Sequence, residues 1–330
     1  MIPSLSLESE TLSKRIIIMG RKFLNLDAGE GIFFERELLS IKARTFDVLY
    51  PELLARTLFP LDSTTDTGAA TVGYQTWDHV GMAKLISNYS DDLPNIEVGM
   101  TETIRKIYSE GVAFGYSIQD IRAARLAGKP LEQRKANAAR RQLMQLENSL
   151  AFDGDAATDI PGFVNNANFN AVTPVDGTST FTDWARKTPD EIIADVCSMT
   201  SAIRDTSNGV ETPNTLILPE AQYTLISCTP RSTTSDTTIL DFILKSNAWI
   251  STIIPVYNLK GVAPVSAGYD SEDVAILYDR NPDKLWLETP QDVEMFAAQE
   301  KGLMFEVPSH MRTAGVIVAY PKSVAQLNGI

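Results

Sequence analysis

The sequence is poor in the residue types on which metal sites and many active sites depend. Only two cysteines and two histidines occur among 330 residues, which excludes a disulfide framework and leaves no Cys/His cluster for zinc. We expect Cys197 and Cys228 to be buried thiols in a reducing compartment. His79 and His310 have no second ligand at the HExxH spacing, so we interpret both as structural or surface residues.

Motifs of nucleotide binding, ester hydrolysis and membrane insertion are also missing. There is no GxxxxGK[ST], GxGxxG or GxSxG, and the longest N-terminal apolar run, residues 16–19, is too short for a signal peptide or a membrane span. Asp153 and Asp155 could bind a cation or act as an acid pair, but we favour a polar turn. We therefore predict no catalytic residue, cofactor, metal or membrane contact, in a protein made in the cytoplasm.

Composition indicates a folded and acidic protein. The length is enough for about two domains, and contents of 44% hydrophobic and 22% charged residues are typical of globular chains. The formal net charge is −13, and residues 145–300 hold 8 Lys and Arg against 23 Asp and Glu. Most of the surface should repel phosphate, which argues against a general nucleic-acid-binding protein and restricts any DNA contact to a local patch.

A long helix over residues 131–150 is the element around which the other predictions are arranged. Its polar face includes Arg134 and Arg141. The helix runs into the motif Ala-Phe-Asp-Gly-Asp at 151–155, in which Gly154 suits the left-handed turn that ends a helix. The opposite, apolar stripe recurs at steps of three and four and consists of Ala136, Ala139, Leu143, Leu146 and Leu150.

Positive charge is concentrated around the start of this helix. Arg122 and Arg125 precede it, while Arg134 and Lys135 lie in its first turns, where the helix dipole disfavours cations. This arrangement predicts anionic partners on another segment, another subunit or a nucleic acid. The alternative is that these cations simply face solvent. A run of charges, taken by itself, favours this alternative.

Two extended stretches flank a polar tip before the long helix. Alternation over residues 71–77 and a second extended run over 101–114 enclose the turn-rich residues 88–95. A projecting hairpin of about 40 residues is marginally stable by itself, because too little of it is buried to offset the entropy of ordering it. We expect the hairpin to lie on a neighbouring subunit.

The remaining elements are a helical region near the N-terminus and an α/β lobe followed by strands. Thr188 is the predicted N-cap of a helix through Arg204, with Pro189 at its first position and Glu191 completing a capping box. An alternation of helices and strands indicates an α/β lobe that carries most of the acidity. The other predictions are helices at 33–48, 53–58, 219–227 and 238–246, and strands at 215–218, 250–257, 274–278, 285–287, 293–296, 303–307 and 315–320, with no element afterwards.

Short motifs in this order resemble those of a known family. They are Pro-Glu-Leu-Leu-Ala-Arg at 51–56 before Phe59 and Pro60, Asp-Asp-Leu-Pro at 91–94, Gly-Lys-Pro-Leu at 128–131 and Gly-Phe-Val-Asn-Asn at 162–166. From about residue 34 onward, the chain is similar to the major capsid proteins of tailed phages, whose Hong Kong 97 type fold is shared with encapsulin shells.

The resemblance implies an α+β fold in five parts. Residues 1–60 would be an N-terminal arm and residues 61–112 an E-loop hairpin lying over an adjacent subunit. Residues 113–170 would form the peripheral domain with its spine helix, residues 171–283 the α/β axial domain, and residues 284–330 the returning strands of the peripheral domain.

The resemblance also implies a structural protein rather than an enzyme. Its copies would self-assemble through hexamers and pentamers into the icosahedral head around the double-stranded DNA genome of a tailed phage, held without sequence specificity. The protein would be found in the virion, after assembly in the host cytoplasm, with portal and decoration proteins as further partners. The front of the chain is too short for a long fused scaffold, so scaffolding would be separate, removed or unnecessary. An encapsulin-like compartment and a soluble α/β enzyme are the alternatives.

The implied layout identifies candidate contacts between subunits. We predict that Asp91 and Asp92 pair with Arg122 or Arg134 of a neighbour. Lys84 lies where some members of the family crosslink a lysine to an asparagine, but no asparagine is an evident partner, so we expect no crosslink. The candidates are charged or aromatic residues of the hairpin and of the basic segment, namely Asp91, Asp92, Lys84, Trp77, Arg122, Arg134 and Arg141.

Overall fold

The computed structural model describes residues 48, 50–85, 93–128, 131–178, 181–232, 234, 236–262 and 273–330. The chain divides into two units, Met1–Pro51 and Glu52–Ile330, and the described helices and strands all belong to the second. The helix predicted at 33–48, apart from Val48, and the acidic pair Asp91 and Asp92 lie outside the described residues.

Strands predominate from Thr71 to Ser117 and again from Val274 onward, and helices are interspersed with strands between Pro189 and Pro255. The helices are α1 (Ala55–Leu58), α2 (Ile118–Ala127), α3 (Leu131–Phe152), α4 (Pro189–Thr206), α5 (Glu220–Cys228) and α6 (Ile239–Ser246). The strands are β1 (Leu61–Asp62), β2 (Thr71–Val80), β3 (Glu97–Lys106), β4 (Tyr108–Ser117), β5 (Gly154–Asp155), β6 (Ile160–Pro161), β7 (Asn170–Val172), β8 (Thr215–Leu218), β9 (Thr252–Pro255), β10 (Val274–Tyr278), β11 (Leu285–Glu288), β12 (Gln291–Met295), β13 (Gln299–Lys301), β14 (Met304–Thr313), β15 (Gly315–Val318) and β16 (Val324–Asn328).

Helix α3 confirms the long helix predicted over residues 131–150, and we refer to it as the spine helix. Its buried face differs from the predicted stripe, because Leu146 is 46% exposed whereas Glu147 and Asn148 are buried. The segment that carries α1 packs against this part of the spine helix and supplies partners for both polar side chains. The Ala55 backbone amide donates a hydrogen bond to Asn148 Oδ1 at 3.0 Å.

The turn after the spine helix satisfies the carbonyl groups that the helix end leaves free. The amides of Phe163 and Val164 donate to the carbonyls of Ala151 at 2.9 Å and Phe152 at 3.0 Å. This close crossing needs two glycines. Gly154 has a φ of +68°, and a Cβ atom on it would lie 2.3 Å from the Gly162 nitrogen.

The Asp155 carboxylate serves the same turn. Its Oδ1 accepts from the Ala157 amide at 3.1 Å and its Oδ2 accepts from Thr158 Oγ1 at 2.8 Å. The Asp153 amide continues the helix by donating to the Ser149 carbonyl at 2.8 Å. The two aspartates are therefore used as the polar turn that we favoured for them.

An aromatic cluster lies where the spine helix ends. Phe59 packs edge-on against Phe163 with ring centroids 4.8 Å apart, and Phe163 packs in the same way against Tyr278 at 5.4 Å. Phe152 and Phe169 complete the cluster at 5.7 Å from Phe59 and 5.3 Å from Phe163. These rings join the α1 segment, the spine helix, the connection after it and strand β10 into one core.

A five-stranded sheet in the order β7-β16-β10-β8-β9 forms the α/β lobe. Alternate residues of its strands face two cores, as the period of two in a strand requires. In β10, Ile276 and Tyr278 face the aromatic cluster, while Ala275 and Leu277 face helices α4, α5 and α6. The lobe is thus anchored to the spine helix through its own central strand.

Strand β16 corrects the prediction that no element follows residue 320. It pairs with β10 along its whole length, from Val274 opposite Asn328 to Tyr278 opposite Val324, and all five of its residues are buried. The chain therefore ends inside the α/β lobe. The sequence Val-Ala-Gln-Leu-Asn has one clear alternation only, which is too short a pattern to predict a strand.

Three further predictions need correction. The extended run at 101–114 is two strands that separate at Ile107, because β3 pairs with β2 whereas β4 pairs with β14 over ten residues. The strand predicted at 250–257 is confined to β9. Cys197 and Cys228 are exposed on helices rather than buried.

The start of helix α4 confirms the predicted capping box. The Thr188 amide donates to Glu191 Oε2 at 2.8 Å, and the Thr178 amide donates to Glu191 Oε1 at 2.7 Å. Hydrogen bonds from the side chain and backbone of Thr178 and from Thr188 lower the pKa of Glu191 to about 2. Glu191 therefore links the helix to the loop before it.

We predict that Gly154→Ala and Gly162→Ala each lower the free energy of unfolding by roughly 2–4 kcal/mol, because the added Cβ strains or separates the crossing backbones. Gly111→Ala is the matched control, since a Cβ there meets nothing closer than 3.6 Å. Denaturant unfolding followed by tryptophan fluorescence measures the three variants. Equal stability of all three would show that the backbone crossing is not tight.

Candidate assembly surfaces

Strands β2 and β3 form a two-stranded ribbon that pairs with no other described strand. The ladder runs from Thr71 opposite Lys106 to Val80 opposite Glu97. The ladder is extended by one more bond at its root, from the Ile107 amide to the Ala70 carbonyl at 3.0 Å. Among the described residues, no helix or strand packs along the outer part of the ribbon.

The two faces of the ribbon differ in what covers them. On one face, Tyr74 packs edge-on against Trp286 at 5.9 Å and its hydroxyl donates to the Val318 carbonyl at 3.5 Å. The other face carries Trp77 opposite Met100, with exposures of 60% and 51%. This second face, which we call the Trp77 face, also carries Val98 and Ile104.

The Trp77 face and the ribbon tip expose more apolar surface than isolated hydrophobic residues on a soluble protein usually do. Burial of such surface is worth about 25 cal/mol per Å², so its exposure leaves a large stabilisation unused within the subunit. The exposed apolar residues of the hairpin region are Trp77, Val80, Met82, Leu85, Leu93, Ile96, Val98, Met100 and Ile104.

The Arg312 guanidinium holds the loop that leads into the ribbon. Its two terminal nitrogens donate to the carbonyls of Thr67 and, at 2.7 Å, Ala69. Nearby, the Trp286 indole nitrogen donates to Glu288 Oε2 at 2.8 Å. The Arg312 contacts attach the ribbon root to strand β14, and the Trp286 contact orients its indole ring within β11.

Helix α2 is a second surface that its own subunit leaves uncovered. Ser117 and Asp120 form a capping box at its start, and Gly128 ends it with a φ of +64°, yet no residue of the helix is buried. Leu126 is 92% exposed. Between α2 and the first turn of the spine helix lies a groove of about 720 Å³, lined by Tyr116, Ile121, Ala124, Arg125, Gly128, Leu131, Glu132 and Gln133.

Basic side chains surround this groove. Arg122 and Arg134 are exposed and Arg141 is half-buried, whereas the Lys135 ammonium is used internally and donates to the Gly115 carbonyl at 2.6 Å. Trp77 and Lys84 lie on the exposed hairpin, so the structure assigns the described contact candidates to two separate uncovered surfaces.

The sequence did not indicate an ionic cluster that joins α1 to the spine helix. Arg56 Nε lies 2.6 Å from Glu147 Oε2, and Arg56 Nη2 lies 2.9 Å from Asp292 Oδ1. Thr289 Oγ1 donates to Glu147 Oε1 at 2.9 Å. Burial alone would lower the pKa of Arg56, but its hydrogen bonds to Glu147 and Asp292 outweigh burial and raise that pKa above its ordinary value. Glu147 lies four residues after Leu143 of the apolar stripe, and this position is the feature of the sequence from which a buried charge could have been predicted.

The described residues contain no helix that is both long and apolar enough to cross a lipid bilayer. They also contain no group of three or more His, Cys, Asp and Glu side chains positioned to hold a metal ion.

A ribbon and a helix that their own subunit leaves uncovered define a subunit of a larger assembly. The fold agrees with this class. The capsid of Myoviridae phage XM1 has a TM-score of 0.77 and 16% identity, covering 91% of this chain and 100% of that one. The capsid of a native GTA particle has a TM-score of 0.61 and 10% identity, covering 92% and 97%. A protein of Mycobacterium phage Ogopogo has a TM-score of 0.59 and 11% identity, covering 90% of this chain and 99% of that one.

Residues 81–330 match the family model described as major capsid protein. The chain therefore belongs to the major capsid protein family, and its fold is the Hong Kong 97 type predicted from the sequence. No curated protein sequence matches the chain. Its role is that of the main structural subunit of a viral capsid.

We predict that Arg56→Met lowers the free energy of unfolding by roughly 3–5 kcal/mol, because it leaves the Glu147 carboxylate buried without its cation. Glu147 is 2% exposed. The double variant Arg56→Met with Glu147→Leu should recover most of the loss, since it removes both charges. Thermal unfolding of the wild type, the single variant and the double variant measures this. A double variant that is less stable than Arg56→Met contradicts the assignment.

Proposed function

We propose that copies of this chain form the icosahedral head of a tailed phage around double-stranded DNA, with a structural rather than an enzymatic role. The observation that carries the proposal is the ribbon of β2 and β3, whose Trp77 face is not covered by any part of the chain that the structure describes. Membership of the major capsid protein family supports it. An encapsulin-like shell is the less supported alternative, because the matching family model is that of capsids.

The proposed layout has five parts. Residues 61–112 act as an E-loop over an adjacent subunit, and residues 113–170 with 284–320 act as the peripheral domain around the spine helix, whereas β16 joins the sheet of the axial domain. Residues 171–283 form the axial domain at the hexamer and pentamer axes, and residues 1–60 form an N-terminal arm. Such interlocking predicts an obligate interface of several thousand Å² in total per chain, of the order seen in permanent complexes.

Charge supports contact between the hairpin of one copy and the α2 region of another. Residues 75–104 contain five carboxylates and one lysine, Lys84, whereas residues 118–141 contain seven cations and two carboxylates. Opposite charges steer association and fix register more than they add affinity. We propose that Asp91 and Asp92 of one copy pair with basic residues such as Arg122 or Arg134 of its neighbour.

The acidity of the lobe supports a container for DNA. Residues 145–300 hold 8 Lys and Arg against 23 Asp and Glu. Like charge keeps the wall and the polymer apart, so the genome is held without sequence specificity and without adhering to the shell. Assembly in the host cytoplasm, with separate scaffolding, portal and decoration proteins, belongs to the same proposal.

The full chain expressed alone should form particles of megadalton mass in light scattering and closed shells in electron microscopy. We predict that Trp77→Ser with Met100→Ser raises the protein concentration needed for assembly at least about tenfold, because buried tryptophans dominate interface energies. Thr76→Ala with Thr101→Ala, on the opposite face of the same ribbon, is the matched control. Particles of only a few subunits from the wild type contradict the shell.

A second prediction tests the charge pairing. Asp92→Lys should slow assembly at low salt, and the effect should shrink as salt screens the charges over distances beyond about 10 Å. Adding Arg122→Glu and Arg134→Glu to Asp92→Lys should restore part of the rate, because the pair is reversed rather than lost. Assembly kinetics by light scattering measure both. Asp92→Lys that assembles like the wild type at every salt concentration contradicts the pairing.

A further inference from the structure

Glu110 is a buried carboxyl group without a partner. It lies in the middle of β4, on the face of the strand that packs against the spine helix, and is 7% exposed. Among the described residues, neither of its carboxyl oxygens has a hydrogen-bond partner. Across the ladder it is opposite Met311, which is fully buried. An ionised carboxylate is therefore disfavoured at this position.

The charged groups around Glu110 are already committed to one another. From the spine helix comes Glu147, which is paired with Arg56 of α1. From β12 comes Asp292, which shares the same guanidinium and is also stabilised by the charge of Arg140 of the spine helix. The charge that acts on Glu110 from the described residues is that of Glu147, and it has the same sign as ionised Glu110.

The direction of the proton linkage follows from this environment. Burial, and secondly the negative charge of Glu147, raise the pKa of Glu110 from its ordinary 4.5 to about 7. A group whose pKa is raised in the folded state stabilises that state fully below its ordinary pKa. The contribution is lost progressively as the pH rises from about 4.5 through about 7.

We propose that Glu110 is a proton-controlled latch between the spine helix and the sheet of β4 and β14. The neutral carboxyl group allows the helix and the sheet to pack together, whereas the ionised carboxylate repels Glu147 and loosens their contact. No bond is formed or broken; one proton passes between the carboxyl group and water.

The position of Glu110 in β4 couples its protonation to the way the hairpin is held. Strand β4 begins at Tyr108, directly after the ribbon, and Arg312 of β14, which is opposite Ser109 in the ladder, donates to the carbonyls of Thr67 and Ala69 at the ribbon root. Farther along β4, the Gly115 carbonyl accepts from Lys135 of the spine helix. Glu110 lies between these two attachments, so loosening at Glu110 alters how the hairpin root is held against the spine helix.

Hydrogen exchange of the assembled full-length protein tests the proposal. Peptides that cover β4 and the second half of the spine helix should exchange roughly tenfold faster at about pH 8.5 than at about pH 5.5, after correction for intrinsic exchange rates. In Glu110→Gln the difference should vanish, because the side chain is neutral at both pH values. Glu220→Gln, at an exposed position in the first turn of helix α5, should behave as the wild type.

A further variant keeps the test decisive if Glu110→Gln does not fold. Glu147→Gln removes the neighbouring charge, so the midpoint of the exchange transition should move to lower pH while the transition itself remains. An unchanged midpoint in Glu147→Gln overturns the proposal. An unchanged pH dependence in Glu110→Gln, or its loss in Glu220→Gln, overturns it as well.

Discussion

The packing of Phe59 against Phe163, with ring centroids 4.8 Å apart, is the contact on which the subunit depends most. It holds the α1 segment against the end of the spine helix, and Tyr278 extends the same cluster into the central strand of the α/β lobe. Aromatic side chains bury large areas and favour such edge-on geometry. The glycines of the neighbouring turn serve this contact, because they let residues 163 and 164 approach closely enough to cap the helix.

The closely packed aromatic cluster contrasts with the exposed surfaces of the ribbon and of helix α2. The ribbon of β2 and β3 is fixed at its root and uncovered elsewhere, and helix α2 is formed but has no buried residue. In a monomeric protein, exposed apolar surface of this kind favours aggregation. In a capsid subunit the same surface favours ordered association, because Trp77, Val98, Met100 and Ile104 share one face of the ribbon and the chain separates acidic from basic segments.

Local rules predicted the fold well where the pattern was long or chemically specific. The spine helix, the capping box at Thr188 and the buried strand β10 belong to this group, since periodicity and capping act within a few residues. The errors have a common cause. Leu146 is exposed, Glu147 is buried and β16 is central because distant segments pack there, and no local pattern encodes such contacts. The hairpin surface was predictable from its sequence, whereas Glu110 became recognisable only when β4 was seen against the spine helix.

The central claim is that the subunit is completed by other copies of itself. An image reconstruction of shells formed by the full-length chain tests this most directly, through the surface of residues 71–106 that a second copy covers. The account predicts that Trp77 and Met100 are buried against a neighbouring subunit beside the groove of α2. A hairpin folded against its own subunit, with no second copy beneath the Trp77 face, would contradict it.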